Sequence, residues 1–152
     1  MTTSFMGELL TATHNFGTAP TRGTSAADTF KAALYLTSAT IDAATTAYTV
    51  SGEVSGAGYS AGGIVVTNAT PPTATNASAT AGVAFFTPSA SLVYTSVTLT
   101  TAFDAVLIYN STQSNKAVSV HTFGSQTITA GTFTLTMPAN TTTTALLRLA
   151  TT

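Results

Sequence analysis

Alternation of apolar and polar residues in short runs is the feature that most constrains the fold of this chain. In the run GTFTLTM, Phe133, Leu135 and Met137 lie on one side of an extended backbone, and the intervening threonines lie on the other. This pattern is typical of an antiparallel strand with one buried face. Turn-forming residues separate such runs about every 8 to 14 positions. The predicted fold class is therefore all-β, an antiparallel β-sandwich that is jelly-roll-like and has about eight strands.

Several runs share this strand character. They are residues 30–36, 45–50, 63–68, 82–87, 92–100, 105–110, 116–123, 131–137 and 145–150. The run AVLIY at the start of 105–110 is apolar throughout, so it is predicted to lie in the centre of a sheet, covered on both faces. Residues 110–115 are predicted to be a hairpin loop whose Asn residues tolerate left-handed conformations. The polar segment 68–82, which contains a Pro-Pro pair, is predicted to be a surface loop.

Residues 1–28 show neither the apolar period of about 3.6 residues that is typical of a helix nor the period of 2 that is typical of a strand. We predict an extended N-terminal arm over these residues and a sandwich domain over residues 29–152, and we expect the domain to fold without the arm. The first residues have no basic region followed by an apolar run, and no stretch of about 20 apolar residues occurs. We therefore expect neither classical secretion nor membrane insertion.

The composition is polar but almost uncharged. Thr and Ser make up about a third of the chain, and β-branched Thr favours strands. Only 6% of residues are charged, compared with roughly 25% in typical domains. Because the four basic residues are scattered, we expect no nucleic-acid partner and no membrane partner. A net charge of −1 favours association, so the composition suits a subunit of an assembly.

The glycine-rich segment GEVSGAGYSAGG, residues 52–63, contains two overlapping active-site patterns. Residues 56–61 match the dinucleotide pattern G-x-G-x-x-A, and residues 58–62 match the nucleophile elbow G-x-S-x-G around Ser60. Asp104 and His121 follow Ser60 in the order that α/β-hydrolases use. Both patterns require a strand before them and a helix after them, and neither the upstream TVSGEVSGA nor the downstream GGIVVTNATPP fits. We therefore predict a protein that is not an enzyme.

The alternative interpretation of this segment is structural. Its glycines would adopt turn or bulge conformations with an aromatic ring packed over them, and Ser60 would be an ordinary turn serine that is not bonded to His121. His121 itself is expected to be a solvated or hydrogen-bonded strand histidine that faces away from Val118 and Val120, on the same face as Lys116, unless the strand is bulged. The predicted structural turn consists of Gly56, Gly58, Tyr59, Gly62 and Gly63.

Metal and cofactor sites are not predicted. His14 and His121 have no partners at metal-ligand spacing, and the five carboxylates are scattered along the sequence. Pairing of two carboxylates in space for glycoside chemistry stays open at this point. We expect no cofactor and no metal.

Three parts of the chain together resemble a known group of proteins. Their order resembles that of small structural proteins encoded by tailed bacteriophages. The three parts are FKAALYLTSATIDAATTAYTVSGEVSGAGYSAGG, then AVLIYNSTQSNKAVSVHTFGS, then GTFTLTMPA. The resemblance covers about residues 28–150, and its most specific pieces are VSGAGYSAGG and LIYNSTQSNKAV followed by FGS. It implies a virion component, a decoration or cement protein of the capsid surface. A tail or fibre position is the alternative, and no catalytic residues are implied.

Partners follow from this resemblance. It implies the major capsid protein as partner and a homo-oligomer, with a trimer favoured, that passes through the host cytoplasm during assembly. Either the arm or the sandwich edge would hold the capsid, because extended segments add strands to exposed edges and many copies make weak contacts sufficient. In the alternative, a tail or fibre module would bind a host glycan through exposed Tyr35, Tyr59, Tyr94 or Tyr109. The candidate partner-binding residues of the arm are Phe5, Leu9, Leu10 and Phe16.

Overall fold

The computed structural model describes residues 1–2, 5, 9, 13–16, 27–68, 72–75 and 82–150. This part of the chain is almost entirely β, which confirms the predicted all-β class, and its strands form two antiparallel sheets. The seven strands within it are β1 (Phe30–Leu36), β2 (Ile64–Val65), β3 (Thr73–Thr75), β4 (Val83–Phe86), β5 (Leu92–Asn110), β6 (Lys116–Leu135) and β7 (Leu147–Ala150).

The larger sheet has four strands in the order β2-β1-β5-β6, and the smaller sheet has three in the order β3-β4-β7. β5 and β6 form a hairpin around residues 111–115, where Ser114 and Asn115 have left-handed φ angles of 53° and 59°. The Asn110 side-chain oxygen accepts the N–H groups of Thr112 and Gln113 inside this turn. The hairpin and the left-handed conformation predicted for one of its Asn residues are confirmed.

β5 and β6 are far longer than predicted, with 19 and 20 residues. Two predicted runs merge into each of them, because the residues between the runs form β-bulges and not turns. The pairing register shifts repeatedly along the hairpin, and Ser96 and Ala130 take positive φ angles of 54° and 45°. A bulge accommodates such local conformations while the strand continues.

Two further predictions about strands are wrong. Residues 45–50 form no strand, and only Ala47 makes an isolated bridge, to Lys116. Within the segment predicted as a surface loop, residues 73–75 form β3 and pair with β4, whereas residues 69–71 and 76–81 lie outside the described residues. Pairing with β4 gives these residues a hydrogen-bonded partner that the local sequence does not reveal.

The core lies on both faces of the larger sheet. Val106 and Ile108 of β5 belong to a large apolar cluster on one face, and Leu107 belongs to a smaller cluster on the other. The prediction that AVLIY is central and covered on both faces is confirmed, because β5 lies between β1 and β6 and these three residues are at most 4% exposed. Leu147 of β7 also packs against the large cluster, which links the smaller sheet to the same core.

The described residues of the N-terminal segment pack on this core. Phe5 is 2% exposed and belongs to the large cluster, and Leu9 packs against it. Phe16 stacks on Phe30 with the ring centroids 4.3 Å apart. Leu10 lies outside the described residues. Because Phe5 and Phe16 fill the interior, we now expect removal of residues 1–28 to destabilise the domain, which differs from the expectation drawn from the sequence.

Candidate functional site

Residues 52–63, called the glycine loop from here on, lie across the backbones of β1 and β5. Val54 N–H donates to the carbonyl of Leu34 in β1 at 3.0 Å, and Thr98 N–H of β5 donates to the carbonyl of Ala57 at 2.8 Å. The loop therefore bridges the two strands through main-chain hydrogen bonds. It ends where β2 begins and pairs with β1.

Glycine is required where the loop approaches these strands. Gly63 has φ of 70°, and a Cβ atom there would lie 1.7 Å from the carbonyl oxygen of Ala32. Gly58 has φ of 78°, and a Cβ atom there would lie 2.2 Å from the carbonyl oxygen of Ser96. Only glycine combines the left-handed conformation with such close approach. The same segment thus has the turn geometry expected of its glycines.

Glu53 holds the loop from inside. Its side chain is buried, with 8% exposed. One carboxylate oxygen accepts the Tyr59 hydroxyl at 2.7 Å and the Gly62 N–H at 2.8 Å, and the other accepts the Tyr48 hydroxyl at 2.7 Å. A buried carboxylate is tolerated only when its oxygens are hydrogen-bonded in this way. Glu53 therefore joins both ends of the loop to residue 48 upstream.

All five tyrosines of the chain surround the glycine loop. The Tyr109 hydroxyl donates to the carbonyl of Gly62 at 2.8 Å, and the Tyr94 hydroxyl donates to the carbonyl of Ala32 at 2.8 Å. The Tyr59 hydroxyl also accepts the N–H of Leu34 at 3.0 Å. Tyr35, Tyr94 and Tyr109 are buried, whereas Tyr48 and Tyr59 are half-buried. Each of the five hydroxyls bonds to the main chain or to a carboxylate, as buried tyrosines generally require.

Burial also sets the protonation of these tyrosines. It raises the pKa of Tyr35 to about 12, and the pKa values of the other four also lie above their usual value. Burial is the largest cause in each case, and the nearby Glu53 carboxylate adds to it because a negative charge disfavours the phenolate. The hydroxyls therefore stay protonated and act as donors.

The alternative in which an exposed tyrosine stacks on a host glycan is not supported by the burial of the four candidate residues. Tyr35, Tyr94 and Tyr109 are at most 2% exposed, and Tyr59 is half-buried. Tyr35 donates its hydroxyl to the Thr49 carbonyl. Because each hydroxyl finds an internal acceptor, the rings can be withdrawn from water without leaving a polar group unpaired.

The three residues of the possible triad are not brought together by hydrogen bonds. Ser60 is exposed in a turn, and its carbonyl accepts Gly63 N–H at 3.0 Å. His121 lies in β6, where its ring nitrogen is 2.9 Å from the Ser119 hydroxyl. Ser60, Asp104 and His121 are all described, and no recorded hydrogen bond joins any two of them. The expected hydrogen-bonded strand histidine is observed.

A bulge in β6 decides the face on which His121 lies. A register shift between Ile108 and Tyr109 of β5 places Val118 in the large cluster and Val120 in the small one. His121 pairs opposite Val106 and lines a cavity of about 120 Å³ on the side of the large cluster. Burial lowers the pKa of His121 to about 4. The bulge is the exception that the prediction allowed, and because of it His121 faces away from Val120 but lies on the same side of the sheet as Val118.

A second polar cluster joins the N-terminal segment to the β5–β6 turn. The Asp28 carboxylate accepts the N–H of Asn15 at 2.8 Å, the side-chain amide of Asn110 at 2.7 Å and that of Gln113 at 3.2 Å. The Asn110 amide also lies 3.0 Å from Nδ1 of the buried His14. Sequence reasoning missed this role of Asp28, whose partners Asn110 and Gln113 lie far away along the chain. It also missed the role of Glu53, although the partners of Glu53 lie within nine residues of it.

Other kinds of site were searched for in the described part of the chain. It holds no group of three or more His, Asp or Glu side chains that could bind a metal ion. Within the same residues, no helix has the length and apolar character needed to cross a membrane.

Comparison with known proteins gives no family for this chain. No family model, no curated protein and no solved structure matches it.

Proposed function

We propose that the chain is a non-enzymatic structural subunit of a tailed-bacteriophage particle, a decoration or cement protein that binds the outer surface of the head and stabilises it. The proposal joins the resemblance noted in the sequence to one observation in the structure, the edge strand β6, which is free of Asp, Glu, Lys and Arg after Lys116. Its partner would be the major capsid protein, and it would reach the capsid surface from the host cytoplasm during assembly.

The edge strand carries this proposal. β6 is the outermost strand of the larger sheet, and its sequence from residue 117 to 135 contains no Asp, Glu, Lys, Arg or Pro. Proteins that stay monomeric protect such edges with charges, proline or a covering segment, because an open edge recruits strands from other chains. The β6 edge has bulges but neither charge nor proline, and an edge of this composition on a nearly uncharged protein is suited to a subunit that meets neighbours in an assembly.

The finer architecture also belongs to this proposal. We infer that the two sheets pack as a jelly-roll-like sandwich around the large cluster, to which β1, β5, β6 and β7 all contribute side chains. Residues 1–28 would be an arm that lies against its own domain. We assign the capsid contact to the β6 edge and not to Phe5, Leu9 or Phe16, because these side chains pack on the core of their own chain.

The glycine loop supports the non-enzymatic part of the proposal. Its glycines make close contacts with β1 and β5, and the Glu53 carboxylate is fully engaged by three donors. A catalytic serine needs a neighbouring base and an oxyanion hole. The Ser60 turn has neither a recorded bond to His121 nor a following helix, since β2 begins immediately after the loop. The loop is used to connect strands.

The experiment that tests the function is quantification of the chain in purified phage particles, together with binding of the purified protein to heads that lack it. A decoration protein is expected in numbers comparable with the capsid subunits, because avidity over many copies replaces strong single contacts. A tail or fibre module would be present in far fewer copies. Absence of the chain from complete particles would contradict the proposal.

A matched variant tests the structural role of the loop in the same assay. Ser60→Ala is expected to bind heads as the wild type does, because the Ser60 side chain is exposed and makes no recorded hydrogen bond. An esterase activity in the wild type that disappears in Ser60→Ala would show that the loop is an active site after all.

A further inference from the structure

We propose that the β5–β6 hairpin holds a binding site for a small neutral molecule with one apolar ring and one hydroxyl group, the class to which phenol belongs. The site is the cavity of about 120 Å³ that His121 lines, called the hairpin cavity from here on. Its walls come from β5, from two separate parts of β6, from residues 136–138 and from Leu146. This inference goes beyond the proposed assembly function and does not depend on it.

The β5–β6 hairpin curls back on itself around the hairpin cavity. Leu92 and Val106 of β5 both line the cavity, and so do His121 and Leu135 of β6. Along a straight strand, the two residues of each pair would lie roughly 46 Å apart. The register shifts between them mark the bulges at which the hairpin bends. A sheet that curls in this way encloses an interior, and the mouths of β-barrels are common places for ligand sites.

The hairpin cavity has a buried side and a side that faces the solvent. On the buried side, Leu92, Val106 and Ile108 are at most 4% exposed. Thr122 and Thr136, which also line the cavity, are exposed. Native cores leave few spaces larger than a water molecule, because an unfilled space lowers stability. A space of this size with access from the solvent is therefore suited to a ligand.

The walls of the cavity select the chemistry of the ligand. Most of the side chains that line it are apolar, and none of these described residues is Asp, Glu, Lys or Arg. Burial lowers the pKa of His121 to about 4, so its ring is neutral at pH 7. The matching ligand is therefore neutral as well. An apolar cavity of about 150 Å³ binds benzene, so a space of about 120 Å³ admits a body no larger than one small ring.

His121 can supply a hydrogen bond to this ligand. Its Nε2 lies 2.9 Å from the hydroxyl of the buried Ser119. No hydrogen bond is recorded between its Nδ1 and any other residue in the part of the chain that the structure describes. A neutral imidazole has one donor nitrogen and one acceptor nitrogen, and a hydroxyl group can pair with either. A ligand hydroxyl therefore fits Nδ1 whichever tautomer the bond to Ser119 fixes.

Titration with phenol at pH 7, followed by NMR of protein that carries ¹³C in its methionine methyl groups, tests this inference. Met137 lines the hairpin cavity, so its methyl resonance is expected to shift and to saturate as phenol is added. Phenol is expected to bind about fivefold more tightly than benzene, because one net hydrogen bond contributes about that factor. His121→Leu is expected to remove this preference and to keep binding both probes.

Two tryptophan variants locate the binding. Leu146→Trp is expected to abolish binding of both probes, because the larger side chain fills the cavity that Leu146 lines. Leu149→Trp is the matched control, since Leu149 is 45% exposed and does not line this cavity. It should bind phenol as the wild type does. Circular dichroism checks that every variant is folded.

The outcomes are distinct for the site and for its hydrogen bond. A Met137 resonance that does not shift, or that shifts without saturation, overturns the inference, and this measurement needs only the wild type. Saturable binding that survives in Leu146→Trp would place the molecule elsewhere and also overturns it. A preference for phenol that survives in His121→Leu overturns the assignment of the hydroxyl to His121. None of these results bears on head binding, so the proposed function is tested separately.

Discussion

Replacement of Glu53 by alanine is the perturbation that the structure describes most completely. The carboxylate accepts hydrogen bonds from Tyr48, Tyr59 and Gly62. Glu53→Ala would leave these donors without an acceptor. Tyr48 is half-buried and can turn toward water, so the cost falls mainly on Tyr59 and the main chain at Gly62.

The magnitude follows from these two interior donors. A hydrogen bond to a charged acceptor contributes roughly 1.5 to 3 kcal/mol, and a buried donor left unpaired costs about as much. Two donors near the lower end of that range give a loss of about 3 to 4 kcal/mol in the free energy of unfolding. For a chain of this size, the melting temperature should fall by about 10 °C.

The assay is thermal and urea unfolding followed by circular dichroism, with two comparison variants. Glu53→Gln keeps one acceptor oxygen for Tyr59 and Gly62 and should lose about half as much stability. Ser60→Ala, in the same loop, should lie within about 0.5 kcal/mol of the wild type. If Glu53→Ala unfolded within about 1 kcal/mol of the wild type, the hydrogen bonds of this carboxylate would not hold the loop.

Three further predictions concern stability. Gly63→Ala would place its Cβ atom 1.7 Å from the Ala32 carbonyl oxygen at a left-handed φ, so it should lower the free energy of unfolding in urea by more than about 3 kcal/mol. Gly124→Ala, whose Cβ atom would meet nothing within 4 Å, should be nearly neutral. Equal effects of the two substitutions would refute the close approach at Gly63. The pKa of Tyr35 is about 12 in the folded state, above the usual value of 10. The free energy of unfolding should therefore be constant up to about pH 10 and fall as the pH rises toward 12, with phenolate absorbance appearing together with unfolding. Tyrosines that ionise near pH 10 in the folded protein would contradict their burial. The pKa of His121 is lowered from 6.5 to about 4 in the folded state, so the unfolded state takes up the proton first and stability falls as the pH drops from about 6.5 to 4. The difference in melting temperature between the wild type and His121→Gln should therefore change between pH 7 and pH 5. A difference that does not depend on pH would contradict the burial of the ring.

The parts of the fold that the sequence predicts well are those with purely local causes. β1 has the predicted bounds, residues 30–36, because its apolar run ends in a turn. The two-sided burial of AVLIY also follows from its composition. The glycine-rich segment is recognisable as a turn region because glycine tolerates left-handed conformations that other residues do not.

The errors have a common physical origin. Turn-forming residues also occur in bulges, and the local sequence does not distinguish a strand that ends from one that continues past a bulge, as at Ser96 and Ala130. The bulge near Val118 also places His121 on the same side of the sheet as Val118, which an unbulged strand would not do. Bulges depend on the partner strand, which the local sequence does not identify.

The candidate site shows the same division between local and distant causes. The turn conformation of the glycine loop is local and was predictable. The role of Glu53 was not, because it depends on how the loop folds to bring Tyr48, Tyr59 and the main chain at Gly62 to one carboxylate. The glycan-binding alternative required exposed tyrosines, and only the structure shows that internal acceptors such as the Gly62 carbonyl allow Tyr109 to be buried. One available signal was a lone Glu between glycines and tyrosines in an almost uncharged chain.

An electron-microscopy map of the intact phage particle, with this chain located in the density, tests the central claim most directly. The proposed function predicts density for the two-sheet domain on the outer surface of the head, in many copies, with the β6 edge in contact with a neighbouring subunit. A map that places the chain only in the tail, or particles that are complete without it, would contradict that claim.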